Sequence, residues 1–153
     1  MCIRDRSPGA RFEHVSSFDR ENLAISVTRR GALGDALAPL VARVRARPRG
    51  ASTIVYCATI AHVEEVHAAL AQRLGDAGGR ARAGKYHGSL PAAEREQAHR
   101  AFLVGELAVI VATVAFGMGI DKPDIRHIVH WGAPKTVEEY YQQIGRALSL
   151  IHI

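Results

Sequence analysis

Short apolar runs alternate with stretches of helical periodicity along most of this chain, and that alternation restricts its fold more than any other feature. The runs are LAISV (23–27), STIVYC (52–57), ARAGKYH (81–87), LAVIVAT (107–113) and RHIVHW (126–131). Between them lie segments with apolar residues three and four apart. In 34–48 these are Leu37, Leu40, Val41 and Val44; in 59–75 they are Ile60, Val63, Val66 and Leu70. Such spacing predicts amphipathic helices. Thr59 stands where an N-cap is wanted, Pro91 opens a first turn, and Gly75 and Gly105 stand as stops. Thr136 and Glu139 make a capping box for a last helix over 136–147. LAVIVAT is continuous rather than alternating, as a strand buried on both faces must be. The expected fold is therefore α/β, a mostly parallel sheet with helices on both faces, with function gathered at the carboxyl ends of the strands.

At 153 residues the chain has one domain's length, and 48% hydrophobic with 23% charged residues is globular composition. No stretch approaches the roughly 18 apolar residues of a membrane span, and the first ten residues have no apolar signal core. A cytoplasmic protein with no membrane partner is the expectation. Lys and Arg outnumber Asp and Glu by 20 to 15, which suits a polyanion partner as well as it suits a mildly basic surface. Cys2 and Cys57 form neither a disulfide framework nor a zinc site.

The two ends share an origin at the level of DNA. One set of codons for residues 148–153, reverse-complemented with a flanking base, reads Met-Cys-Ile-Arg-Asp and then Arg or Ser, which is the start of the chain. Residues 1–6 and 148–153 are accordingly expected to be non-native scars of a sequencing adaptor. That leaves 7–147 as a truncated domain.

One phosphate motif is a decoy. GRARAGK (79–85) fits the opening of a P-loop, but Tyr86 follows where a magnesium-binding Ser or Thr belongs, and the segment enters a strand instead of leaving one. The richer stretch is VATVAFGMGIDKPDIRHIVHW (111–131). Thr113 stands at a strand's carboxyl end, Gly117 and Gly119 allow backbone amides to approach a phosphate, and Asp121 follows directly. YCAT (56–59) and YHGSL (86–90) bring Thr59 and His87 to neighbouring strand ends, a pattern suited to a phosphodiester backbone. His87, His127 and His130 lack metal-ligand spacing, so no metal site is expected in this chain.

Taken in order and spacing, SFDRENL, STIVYCAT, YHGSL, VATVAFGMGIDKPDIRHIVHW and EEYYQQIGRA resemble the second RecA-like domain of RecQ-family DNA helicases. The resemblance implies a RecA-like three-layer sandwich from an ATP-dependent, 3′-to-5′ DNA-unwinding enzyme of superfamily 2. Its nucleotide, with Mg2+, would lie between this domain and a first RecA-like domain that carries the P-loop and the magnesium carboxylates. The resemblance also implies roles for single residues. Gly117, Gly119, Asp121 and Arg146 would face ATP, with Arg146 and Gln142 as the catalytic members of motif VI. Thr59, His87 and Thr113 would face DNA, single-stranded or at a duplex junction. The family's second motif-VI arginine would fall among the residues set aside as scar, and Ile60 stands where an arginine is frequent. Two other readings follow from the same residues: a stand-alone nucleic-acid-binding module without ATPase, and a superfamily 2 RNA helicase.

Overall fold

A computed structural model describes residues 23–28, 31–46, 48, 50–75, 82–117, 120, 122–147 and 150–152. In chain order the elements are β1 (Ala24–Ser26), α1 (Leu33–Ala46), β2 (Ser52–Cys57), α2 (Ile60–Gly75), β3 (Ala83–Tyr86), α3 (Ala92–Leu103), β4 (Val109–Ala112), β5 (Ile125–Trp131), α4 (Val137–Ile144) and β6 (Leu150–His152). The predicted strands and helices all appear within a few residues of the positions expected of them. One sheet runs in the order β1-β6-β5-β2-β4-β3, with every pairing parallel.

The faces follow from the direction of each crossover. β1 to β2 and β2 to β3 step one way along the sheet, whereas β3 to β4 and β5 to β6 step back. Crossovers of a single hand must then put α1 and α2 on one face and α3 and α4 on the other. The packing agrees. Val55, Cys57, Val109 and Val111 join Leu37, Val44, Val63, Val66 and Leu70 in one core. Their strand neighbours Ile54, Tyr56, Ile110 and Ala112 join Phe102, Phe116, Ile128 and Ile144 in the other. This period of two is why β2 and β4 are buried at every position, and why β4 reads as an unbroken apolar run. β4 is interior, paired to β2 and β3, one strand in from the edge.

Local chemistry sets the helix ends. Thr136 Oγ1 accepts the amide of Glu139 at 3.1 Å, while Glu139 Oε2 reaches back to the Lys135 amide at 3.2 Å, one residue further than a strict capping box. Gly105, at φ 81°, ends α3 in the left-handed conformation that a side chain would oppose. Pro39 sits inside α1, at a cost of about 3 kcal/mol that the buried stripe around it offsets.

One difference from the sequence reading concerns 148–153, set aside there as scar. Leu150–His152 forms β6, between β1 and β5. Backbone pairing requires no particular side chain, so the tripeptide Leu-Ile-His fills this slot through its amides and carbonyls.

The P-loop decoy is resolved where it is described. Gly84 lies within β3 against Leu107. Lys85 Nζ is bonded to both oxygens of Glu64, at 2.8 and 2.7 Å. No helix among the described residues is long and apolar enough to cross a membrane.

Candidate nucleotide and nucleic-acid site

The carboxyl ends of β3, β4 and β2 stand side by side, because Tyr86, Ala112 and Tyr56 are register partners. Thr113 follows β4, its amide donating to the Tyr86 carbonyl at 3.2 Å and its own carbonyl accepting from Phe116 at 3.0 Å. The turn so formed leads to Gly117. Thr59 is exposed, and its Oγ1 accepts the His62 amide at 3.2 Å, the N-cap role its position suggested.

His87, expected to face DNA, stands at the end of β3 with its ring turned inward. Its ring is buried, and Nε2 lies 2.9 Å from Glu64 Oε1. Glu64 therefore gathers Lys85 and His87, and those hydrogen bonds, with Lys85 the larger cause, hold its carboxyl below the ordinary glutamate range. The imidazole is committed inward, which residue type and spacing alone could not disclose.

Gly117 and Arg146, 29 positions apart in the sequence, are brought together. A Cβ added to Gly117 would stand 3.3 Å from Arg146 Nε and 3.2 Å from the Tyr56 hydroxyl. The Arg146 guanidinium also donates to the Ile120 carbonyl, at a long 3.5 Å. Tyr56 is buried, and desolvation pushes its hydroxyl up to about 12, against the opposing pull of Arg146. The phenol thus stays protonated. It forms a neutral wall beside a cation whose one hydrogen bond among the described residues is weak.

Gln142 is exposed on α4, whereas the next residue, Gln143, is buried. Gln143 lies 2.6 Å from His130 and bonds Glu139 at 3.0 Å. Sequence reasoning selected the first glutamine and passed over the second. The available signal was the helical spacing from Tyr140 to Gln143 and Ile144, which puts all three on the inward face. Gly119 and Asp121 lie outside the described residues. Beside the turn, a cleft of about 390 Å³ is lined by Tyr86, Arg95, Glu96, His99, Phe116 and Gly117, among others.

Residues 35–150 match the helicase conserved C-terminal domain. The chain belongs to that family. This helicase domain is 44% identical to the ATP-dependent helicase wrn-1 of Caenorhabditis elegans over 87% of its own length and 12% of that protein. It is 40% identical to the ATP-dependent DNA helicase Q1 of Rattus norvegicus, again over 87% of the chain and 21% of the relative. These two relatives are of the RecQ type that the motifs resemble, and the chain spans about an eighth to a fifth of their length. Among solved structures, the Mycobacterium smegmatis helicase Lhr bound to single-stranded DNA and AMP-PNP superposes with a TM-score of 0.73. That match has 21% identity and covers 87% of this chain and 19% of the other, and it bears out the RecA-like sandwich.

Proposed function

We propose that this helicase domain is the second RecA-like lobe of an ATP-dependent 3′-to-5′ DNA helicase of RecQ type, acting with a first lobe of the same protein. The observation that carries the reading is the guanidinium of Arg146 held against the bare Cα of Gly117. A polyphosphate needs close backbone approach and paired donors. The missing Cβ of Gly117 lets the guanidinium lie against the turn, and a planar guanidinium offers two parallel N–H groups to phosphate oxygens.

ATP with Mg2+ would supply the phosphoanhydride whose hydrolysis drives strand separation, its magnesium carboxylates and P-loop being contributed by the first lobe. On this lobe Arg146 would bind phosphate oxygens, and the neutral Tyr56 phenol would keep water from the guanidinium's inner side. Gly119 and Asp121 would continue the turn around the nucleotide, and exposed Gln142 would meet the first lobe across the cleft. Thr59 and Thr113, at adjacent strand ends, would take the DNA backbone through their hydroxyls. At the His87 position the backbone would make the contact, the ring being committed to Glu64. Single-stranded DNA and duplex junctions are the proposed partners, and the cytoplasm the proposed location. Residues 1–6 and 148–153 remain, on this reading, adaptor-derived.

Purified full-length protein should hydrolyse ATP in a DNA-stimulated manner and unwind a duplex with a 3′ tail, whereas this chain alone should turn over no ATP. Stimulation by RNA but not DNA, or turnover by the isolated chain, would overturn the reading.

A further inference from the structure

Two buried polar side chains under α4 have no part in the chemistry above, yet they are placed where they can control it. Gln143 and His130 are 6% and 5% exposed, and the Gln143 Oε1 and His130 Nε2 atoms are 2.6 Å apart. An apolar pair would pack this space without desolvating an amide and an imidazole. What a polar pair adds is geometry: it is satisfied in one roll and one axial position of the helix, where leucines would tolerate several.

Its polarity follows from the third member. The Glu139 carboxylate only accepts, so the Gln143 amide nitrogen must face it, at 3.0 Å, and the amide oxygen must face His130. The His130 Nε2 therefore carries the hydrogen and donates it to Gln143.

From this clamp two routes lead to Arg146. The first is through the main chain. The Arg146 amide donates to the Gln143 carbonyl at 3.2 Å, so the turn that carries Arg146 springs from the residue whose side chain is anchored to β5. The second is through rings. His130 and Tyr56 are register partners on β5 and β2, with rings stacked at 6.0 Å and 23°. The Tyr56 hydroxyl then meets the same point above Gly117 that Arg146 Nε meets, at 3.2 and 3.3 Å.

We propose that His130 and Gln143 are positioning residues, clamping α4 to β5 so that the Arg146 guanidinium stands against the Gly117 turn. The proposal rests on the helicase reading for what Arg146 does there, but the clamp itself is a property of this chain.

Two measurements test it. In this chain, nitrogen-15 NMR of the histidine rings should show His130 with its hydrogen on Nε2, and Gln143→Ala should shift that resonance. A wild-type ring with the hydrogen on Nδ1 and a bare Nε2 would overturn the clamp. In the full-length protein, Gln143→Ala should lower kcat for DNA-stimulated ATP hydrolysis about tenfold with a smaller change in KM. Most of that loss should vanish in an Arg146→Ala background, because Gln143 acts through Arg146. Gln143→Glu alone would set a second carboxylate against Glu139. The conservative variant is therefore the swap Glu139→Gln with Gln143→Glu, which keeps a donor opposite a carboxylate and the acceptor for His130. It should stay within about threefold of wild type and serves as the variant of record where the alanine form does not fold. A lowered Tm with unchanged kcat, or effects of the two alanine substitutions that multiply, would reduce the pair to a structural contact and overturn the proposal. Absence of turnover in the unaltered protein would instead overturn the helicase reading, leaving the tautomer measurement to decide the clamp.

Discussion

Arg146 lies over the bare Cα of Gly117, with Nε only 3.3 Å from the place a Cβ would take. That separation is tight but not prohibitive, so Gly117→Ala should fold and should push the guanidinium by a few tenths of an ångström. In the full-length protein ATP turnover should fall about tenfold, equivalent to about 1.4 kcal/mol in the barrier, with Tm nearly unchanged. Steady-state kinetics beside thermal melting check it. A large Tm loss with intact kcat per folded molecule would mean the glycine serves only the turn.

DNA binding by the isolated chain should be weak and led by phosphate contacts. The net charge is +5, and the strand-end groups Thr59 and Thr113 offer hydroxyl donors to phosphate. Each neutralised phosphate contributes roughly −0.7 to the slope of log affinity against log salt for a single strand. Fluorescence anisotropy with labelled single-stranded DNA between low and high salt should show a clear decline. A flat profile would contradict a phosphate-led mode.

Much of this architecture was legible because local rules and tertiary demands coincide. Val109 to Ala112 is apolar at every position because its two faces meet different cores, and Thr136 announces the helix it caps. Strand order was not legible, since β2 takes β4 and β5 as neighbours rather than β3. Nor could sequence foresee β6, where pairing is made by backbone groups that every residue carries. At the site, Gly117 was singled out by its glycine-rich turn and Arg146 by the family resemblance, and in space the two stand side by side. The inward placement of the His87 and Gln143 side chains was not legible. Imidazole and amide groups suit a surface or a core equally, and only the positions of Glu64 and His130 in space decide between them.

Acid should weaken the fold partly through Glu64. Its folded pKa lies below the ordinary 4.5, through hydrogen bonds from Lys85 and then His87. A carboxyl with a depressed folded pKa stabilises the fold above its unfolded pKa and loses that contribution as pH falls through the folded one. The Glu64 contribution should therefore be intact at pH 6 and fade below about 4.5. Urea unfolding from pH 6 to pH 3 should show a smaller acid-induced loss in Glu64→Gln than in wild type. The difference should be modest, because the Glu64 side chain is 44% exposed and solvent screens the pair. Equal losses in both proteins would remove Glu64 from the account of acid sensitivity.

Replacing Arg146 gives the sharpest separation of nucleotide from DNA. The guanidinium is half-buried, backed by Gly117 and the Tyr56 hydroxyl, and its one described hydrogen bond, to Ile120, is 3.5 Å long. A cation so placed gives little to the fold, so its loss should fall on whatever anion it meets. Arg146→Ala in the full-length protein should lower ATP turnover at least about tenfold, while DNA binding without nucleotide changes much less. Arg146→Lys keeps the charge but loses the paired donors, and a point charge cannot copy a bidentate grip. It should recover only part of the rate. Full recovery by lysine would show that charge alone is needed at this position. Intact turnover with abolished DNA binding would move Arg146 from the nucleotide to the nucleic acid, and the Gly117 turn would have to be reread as a backbone clamp for DNA.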